Sequence, residues 1–423
     1  MKSVMKSAMK NVMKDRRWLV GAAAGLCLLG LLALWLRPGG TRAAERKPDA
    51  PLTLLWQRQI AGFRGAALSP QGELIALTSG AKGAVSLWHW RTQPDRPLWV
   101  HPATNTSAVD VSAAGSFVVA WSPLDPAQPA FTVLRGEDGA TLSHRTLDGA
   151  VWDAQISADG TYAGVVTGGK MLWLYTLSDQ PYRPGKAEKR IRSWSLGGIG
   201  DSIAITSPPA ASYLVTGAWD DSSLACYTLY GKCLWQYPEK SLTRPRLTDR
   251  LFTAQLSANG RYVLGTSYGN VRESDPALYL WRSDGGGTPQ WKMELGNDAF
   301  YPSAQITEDG GYVAVSYLHQ IVRGDRSLSE HRLRLLNHDG STRWQGGGLL
   351  FSPTLVALAP DGSSVLVSDG HRTLYALGGK DGRILASYPQ PGLLRQTALS
   401  ADGHVLLVYT GDGTLSLFRV GGT

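Results

Sequence analysis

Cysteine is scarce in this chain, and the residue patterns of common catalytic and metal centres are missing. Only three of the 423 residues are cysteine, and no Cys-x-x-Cys motif is present. The eight histidines include no pair at zinc-site spacing. Gly265-Thr-Ser-Tyr-Gly269 matches the nucleophile-elbow pattern, but that motif needs a strand that turns into a helix, and Ala277 to Trp281 already begins another strand. We therefore predict no catalytic residue, no metal site and no cofactor.

An excess of one charge is also missing from most of the chain. The net charge is +8, but ten of the 42 Lys and Arg residues lie in residues 1 to 50, against three acidic residues. The remainder holds 32 basic and 31 acidic residues. Because the basic excess belongs to the N-terminal segment, the high pI does not indicate nucleic-acid binding. We predict no nucleic-acid partner.

A tight turn recurs seven times within apolar, β-rich sequence. The copies begin at Ser69, Ser112, Ser157, Ser257, Thr307, Ala359 and Ser400 and end at a glycine three residues later, with a degenerate copy near Thr206 to Ser212. Gly supplies the positive φ that closes a short hairpin, and Ser or Asp side chains bond the nearby backbone. The glycines are roughly 40 to 50 residues apart, which is the period of one four-stranded β-propeller blade.

Most units also contain a third strand, a second glycine turn and an outer strand with a tryptophan. These residues are Trp99, Trp194, Trp235, Trp291 and Trp344. One large aromatic residue per blade favours packing of blade on blade over ligand binding. The last unit stops after its third strand, and Leu52 to Ile60 supplies the pattern of the missing outer strand. We predict an all-β, eight-bladed β-propeller over residues 51 to 423, closed by an N-terminal outer strand.

The repeated units resemble WD-repeat-like bacterial propellers. The segment Leu374 to Leu385 is similar to the repeat of quinoprotein (PQQ)-type propellers, which include eight-bladed outer-membrane assembly lipoproteins. The resemblance implies architecture only. Quinone binding is not expected, because the adjacent cysteine pair of many quinoproteins is absent and their docking tryptophan and threonine are replaced by Ala386 and Asp381.

The N-terminal segment is typical of a membrane anchor. Residues 18 to 36, from Trp18 to Leu36, form an apolar run of nineteen residues after a basic segment of residues 1 to 17. This length can span a bilayer, so we predict a single transmembrane helix with the N-terminus in the cytoplasm. Residues 37 to 50 then form a linker to an extracytoplasmic propeller. A signal peptide cleaved after Ala43 or Ala44 is the alternative. Residues 1 to 14 have the pattern of either a surface-lying helix or a disordered basic tail.

Cys226 and Cys233 bracket one hairpin. They can form a disulfide in an oxidising compartment. If the turn contains a bulge at Gly231, however, the two side chains point to opposite faces.

The irregular connections between blades and between second and third strands form one face of the predicted ring, which we call the variable face. The long ones are Trp121 to Ala130, Thr266 to Ala277, Ser316 to Glu330 and Tyr237 to Arg250. Variable loops on a rigid scaffold are typical of binding surfaces. Candidate binding residues there are Trp121, Trp219, Asp220, Tyr268, Arg272, Glu273, Tyr317, His319, Arg323 and Asp325.

Two functions are compatible with this pattern. The first is a membrane-anchored interaction scaffold that binds other envelope or membrane proteins. The second is a propeller enzyme or small-ligand sensor that uses the central channel. Candidates at the channel mouth are Asp153, Asp201, Thr253, Ser303 and Arg395. No clustered carboxylate pair stands out in this set, which favours the scaffold.

Overall fold

The computed structural model describes residues 52–420, apart from 104–105, 123–128, 179–190, 207–211, 219–222, 238–250, 268–275, 297, 324–325, 347–353 and 401–402. In this part of the chain, 32 strands form eight antiparallel four-stranded sheets. In chain order they are β1 (Leu52–Gln59), β2 (Gly65–Leu68), β3 (Leu74–Ser79), β4 (Ala84–His89), β5 (Trp99–His101), β6 (Ala108–Val111), β7 (Phe117–Trp121), β8 (Ala130–Arg135), β9 (Thr141–Thr146), β10 (Val151–Ile156), β11 (Tyr162–Thr167), β12 (Met171–Thr176), β13 (Ile191–Ser195), β14 (Gly200–Ile205), β15 (Tyr213–Ala218) and β16 (Ser223–Thr228). They continue with β17 (Cys233–Tyr237), β18 (Leu251–Leu256), β19 (Tyr262–Ser267), β20 (Ala277–Arg282), β21 (Trp291–Glu294), β22 (Ala299–Ile306), β23 (Tyr312–Arg323), β24 (Arg326–Asn337), β25 (Thr342–Gln345), β26 (Thr354–Leu358), β27 (Ser364–Ser368), β28 (Thr373–Gly378), β29 (Ile384–Pro389), β30 (Leu394–Leu399), β31 (Val405–Thr410) and β32 (Thr414–Val420).

The sheets follow the chain as the blades of an eight-bladed propeller. Blade 1 is β2–β5, and each later group of four strands forms the next blade up to blade 7, which is β26–β29. Blade 8 combines β30, β31 and β32 with β1 from the other end of the propeller. Leu54 pairs with Phe418 and Trp56 with Leu417. The predicted fold and its closing strand are confirmed.

The recurring turns are held by their first side chain. The hydroxyl of Ser157 accepts a hydrogen bond from the backbone N–H of Tyr162 at 2.9 Å, and Gly160 has a φ of 71°. The glycine also contacts the preceding blade. A Cβ on Gly310 would collide with the ring of Tyr262, and the preceding-blade residue against Gly362 is Tyr312. Glycine is therefore required at this position for two reasons: it adopts the positive φ, and it has no side chain to collide with the preceding blade.

The outer-strand tryptophans join neighbouring blades, as their regular spacing predicts. Five indole N–H groups donate to carbonyl oxygens in the next blade: Trp56 to Pro94 (3.2 Å), Trp99 to Gly136 (2.7 Å), Trp235 to Ser283 (2.7 Å), Trp291 to His338 (2.8 Å) and Trp344 to Gly379 (3.1 Å). Trp194 lies against Gly231 of blade 4. All of these rings except that of Trp56 lie against a glycine of the next blade, and the hydrogen bonds of Trp99 and Trp235 are buried.

Blades 2 and 7 lack this tryptophan. By strand register the corresponding residues are Ser143, opposite Val133, and Ala386, opposite Ala376. In the following blades, the third and fourth strands are separated by 14 residues (blade 3, residues 177–190) or come from opposite ends of the propeller (blade 8). Neither connection has the length of the short glycine turns that Trp99, Trp291 and Trp344 contact.

Cys226 and Cys233 do not form a disulfide. The strand register shifts between Cys226 and Tyr227, opposite Leu234, rather than at Gly231. Cys226 is fully buried in the core shared with blade 5, while Cys233 is exposed. Burial raises the pKa of the Cys226 thiol to about 12. In this structure both side chains are therefore thiols, that of Cys226 in the core and that of Cys233 on the surface.

The predicted basic segment, transmembrane helix and linker lie outside the described residues. Within the part of the chain that the structure describes, no helix is long and apolar enough to cross a membrane. The anchor at Trp18 to Leu36 stays a prediction.

Replacing a turn glycine that touches the preceding blade destabilises the ring more than replacing one that faces open space. Gly370 has a φ of 74° and no atom within 4 Å of the point that a Cβ would occupy, so Gly370→Ala costs only backbone strain, about 1–2 kcal/mol. Gly310→Ala has a similar φ of 76° and also displaces Tyr262, which adds about 1–3 kcal/mol. Urea unfolding of both variants measures the difference, and equal losses would contradict the inter-blade role of Gly310.

Candidate interaction surface

Blade 6 carries a β-hairpin that extends beyond the rest of its sheet. Its strands β23 and β24 have 12 residues each. Their pairing runs from Tyr312 opposite Asn337 to Arg323 opposite Arg326. The neighbouring strand β22 pairs with β23 only as far as His319. Residues 320–329 therefore form a two-stranded extension, which we call the blade-6 arm. The four residues of β23 beyond His319 give the arm a length of about 13 Å.

The arm corrects one expectation from the sequence. The sequence predicts a loop on the variable face for Ser316 to Glu330, but all of this segment except residues 324 and 325 is paired strand. Gly324-Asp325 is a two-residue combination that favours a hairpin, but the flanking residues do not alternate regularly, since His319-Gln320 and Ile321-Val322 are like pairs. The missing alternation accounts for the prediction of a loop.

The base of the arm is an ionic network around His319. This side chain is only 9% exposed, and its Nε2 lies 2.5 Å from Oδ2 of Asp298. On the other side, Nδ1 lies 3.6 Å from Oε1 of Glu330, which also receives Nε of Arg332 at 3.0 Å. The network joins β23, β24 and the residue before β22. It fixes the arm to the blade through partly exposed charges.

Two of the predicted binding residues are buried in the core. Tyr317 is 1% exposed and packs against blade 5, with the guanidinium of Arg334 5.5 Å from its ring centroid. Trp121 is 7% exposed and packs in the core between blades 2 and 3. Because neither side chain lies on the surface, both contribute to packing in this structure rather than to an exposed binding face.

The other candidates stay predictions. Trp219, Asp220, Tyr268, Arg272, Glu273 and Asp325 lie outside the described residues. Arg323 ends β23, and its side chain is not described. His319 and Arg323 thus belong to one arm, at its base and near its tip.

The innermost strands carry polar side chains that bond the backbone of the next blade. The contacts are Asp110 with Ile156 N (2.8 Å), Asp153 with Ile203 N (3.0 Å), Gln155 with Ile205 N (2.8 Å), Ser202 with Ala254 N (3.0 Å), Gln255 with Ala304 O (2.8 Å), Gln305 with Leu358 N (2.7 Å) and Gln396 with Ala66 O (2.7 Å). These bonds occupy many of the polar groups of the inner strands. Their main effect is to join blades.

Strand register changes the set of predicted channel-mouth residues. Asp153, Thr253 and Ser303 occupy equivalent positions, each seven residues before the turn glycine. Asp201 and Arg395 instead lie at β-bulges, one residue before the equivalent residues Ser202 and Gln396. Thr253 bonds Thr266 of its own blade. The same bulge lies one residue before Asp153 and Thr253, so it does not explain the error. Seven residues before Gly403 is Gln396, and the prediction of Arg395 is one residue off.

Among the described carboxyl groups of the inner strands, Asp110 and Asp153 have the pKa values that are raised most. Burial raises the pKa of Asp110 to about 6 and that of Asp153 to about 7, against backbone hydrogen bonds that lower both. The charges of Asp110 and Asp201 raise the pKa of Asp153 further. Sequence analysis missed Asp110, which precedes a tight turn and resembles an ordinary turn residue. Among the described residues, no three His, Cys, Asp or Glu side chains are placed to hold a metal ion.

Several solved structures have this fold. Sqt1 of Saccharomyces cerevisiae is 12% identical, with a TM-score of 0.62 over 87% of this chain and 98% of that one. BamB of Moraxella catarrhalis is 15% identical, with a TM-score of 0.58 over 87% and 99%. The Cps50 (Swd1) β-propeller domain of Myceliophteria thermophila is 11% identical, with a TM-score of 0.51 over 88% and 100%. By fold, the chain is a WD40- and BamB-like β-propeller. No family model and no curated protein sequence matches it.

The raised pKa of Asp153 predicts that stability falls as pH rises. The Asp153 carboxyl holds its proton more tightly in the folded state than in the unfolded chain. The free energy of unfolding therefore falls between pH 3.8, the ordinary pKa, and about pH 7, the folded pKa. At one pKa unit per 1.36 kcal/mol, the loss approaches about 4 kcal/mol. Urea unfolding at pH 5 and pH 8 samples about two pKa units of this loss, or about 2.7 kcal/mol. Asp153→Asn cannot ionise and should reduce the difference. The exposed Asp95→Asn is the control, and an unchanged difference in Asp153→Asn would contradict the assignment.

Proposed function

We propose that the protein is an extracytoplasmic interaction scaffold, or an accessory subunit of an envelope complex, tethered to the cytoplasmic membrane. The observation that carries the proposal is the blade-6 arm. A paired hairpin that extends beyond its sheet adds little to the core of the ring. It does present two strand edges to a partner protein.

The two faces of the ring support this assignment. On the face of the tight turns, glycines and aromatic rings are engaged in contacts between blades, as at Gly310 with Tyr262. Side chains engaged in such contacts are not available to bind a partner. The arm lies on the other face, where the sequence also predicts the long connections. At the base of the arm, Asp298, Glu330 and Arg332 are each roughly one third to one half exposed, so the network can also bond a partner.

The similar structures agree with a protein-binding role at the level of fold. β-Propellers present rigid faces for binding, and the chain covers nearly the full length of each compared structure. The cellular placement rests on the sequence: an apolar run at Trp18 to Leu36 follows basic residues, so the propeller is placed outside the cytoplasm. The partners are then other envelope or membrane proteins.

An enzyme or small-ligand sensor that acts through the central channel is the second candidate. It is favoured by Asp110 and Asp153, whose pKa values near 6 and 7 suit proton transfer at neutral pH. However, each carboxylate already accepts two backbone N–H groups. Both carboxylates therefore have a sufficient structural role, and the scaffold is the better supported function.

The arm is expected to contact the partner directly. Ser329 is exposed on β24, so a photo-crosslinking residue at this position should capture a specific protein in membranes. The matched control is the same residue at Asp309, which is exposed on the tight-turn face of the same blade. Mass spectrometry of the adducts identifies the partner. Equal adducts from both positions, or none from Ser329, would argue against the arm as the binding element.

The anchor has its own test. The full chain should resist alkaline extraction from membranes, and the propeller should become accessible to protease only when the outer barrier of the cell is opened. A variant without residues 1 to 50 should be released from the membrane. An N-terminus at Glu45 in the mature protein would instead demonstrate cleavage after Ala44, and cytoplasmic protection of the propeller would refute the proposed topology.

A further inference from the structure

A cavity of about 340 Å³ lies between blades 1 and 2, away from the blade-6 arm. Its walls come from the end of β5 and the chain that follows it on one side, and from β7, β8 and β9 on the other. This volume is within the range of small-molecule binding sites. The cavity is therefore large enough for a ligand rather than for a single water molecule.

The cavity follows from the short outer strand of blade 1. Strand β5 has three residues, Trp99–His101, whereas β8 and β9 of the facing blade have six each. The upper part of blade 2 is thus not covered by a full-length partner strand. Small residues at Ala120 and Ala130 line the uncovered part, where larger side chains would close the gap.

The polar lining is pre-arranged. Thr106 and Ser122 line the cavity and are each 8% exposed. On the wall of blade 2, the Thr132 hydroxyl and Nδ1 of His144 are hydrogen-bonded at 2.9 Å. That bond orients the His144 ring, and His101 lies on the opposite wall. Hydroxyl and imidazole groups at the wall of a cavity can bond a polar ligand.

The chemistry of the lining selects the class of ligand. Five hydroxyl side chains and two imidazoles supply groups that both donate and accept, and none of the thirteen lining residues is Asp, Glu, Lys or Arg. An ionic ligand would lose its hydration without gaining a counter-charge. The remaining six lining residues are apolar or proline, including Val85 and Leu134. A sugar ring combines hydroxyl groups with apolar C–H faces, which matches both parts of the lining.

We propose that this cavity binds a neutral saccharide unit. The site is separate from the arm, so it adds a ligand to the proposed scaffold and does not depend on the arm's partner. Thr106, Ser122 and Thr132 bond the sugar hydroxyls, and the wall of Val85, Ala120 and Leu134 contacts the ring. His144, held by Thr132, presents its second ring nitrogen as a further donor or acceptor.

The test uses the full chain in a detergent that contains no sugar, because glycoside detergents would compete for the cavity. Saturation-transfer NMR and calorimetry compare two neutral probes, methyl glucopyranoside and N-acetylglucosamine, with anionic gluconate and cationic glucosamine. We expect saturable binding of at least one neutral probe and weaker binding of both ions. No saturation by either neutral probe at roughly ten times a millimolar Kd, or stronger binding of an ion, would overturn the proposal.

Two variants locate the binding. Thr132→Val keeps the side-chain shape but removes one hydroxyl, so the Kd should rise about fivefold, as expected for the loss of one hydrogen bond. Ala130→Leu fills the cavity and should abolish binding. Thr342→Val, on an exposed strand of blade 6, is the matched control and should leave the Kd unchanged. If Ala130→Leu fails to fold, Ser122→Ala replaces it, and unchanged binding in both Thr132→Val and the cavity variant would overturn the assignment.

Discussion

The contact between one blade and the tight turns of the next is the interaction on which this structure depends. Among the described residues, six glycines of the recurring tight turns have a positive φ and leave room for a side chain of the preceding blade, and in five places an indole donates to a carbonyl of the following one. Such contacts need two neighbours for every blade, which only a closed ring provides. Pairing of β1 with β32 supplies the last neighbour, and Trp56 on β1 continues the same contact into blade 1.

Much of the fold could be predicted because turn chemistry is local. A Ser hydroxyl that bonds the N–H five residues later, as in Ser257 with Tyr262, needs only a short stretch of sequence, and so does the glycine that follows. The number of blades and the closing strand follow from counting these units. The packing role of the tryptophans is predictable for a similar reason, since one aromatic residue per repeat faces the same neighbour in every blade.

The parts that could not be predicted depend on register or on tertiary contacts. A register shift recurs in β10, β14, β18 and β30, and it places Ser202 and Gln396, rather than Asp201 and Arg395, at the position of Asp153. Burial against blade 3 raises the pKa of Asp110, and its sequence neighbours do not indicate that contact. The blade-6 arm lacks the regular apolar–polar alternation of a half-buried strand, and pairing of its backbone does not require that alternation.

The two candidate binding places do not coincide with the missing tryptophans. Ser143 and Ala386 belong to the contacts of blade 2 with blade 3 and of blade 7 with blade 8, whereas the cavity lies between blades 1 and 2, where Trp99 does donate to Gly136. That seam is distinguished by the three-residue strand β5, which is shorter than the facing strands β8 and β9. The arm likewise begins where a strand ends early, since β22 pairs with β23 only as far as His319. The contacts between blades thus close the ring, and differences in strand length within it create both the cavity and the arm.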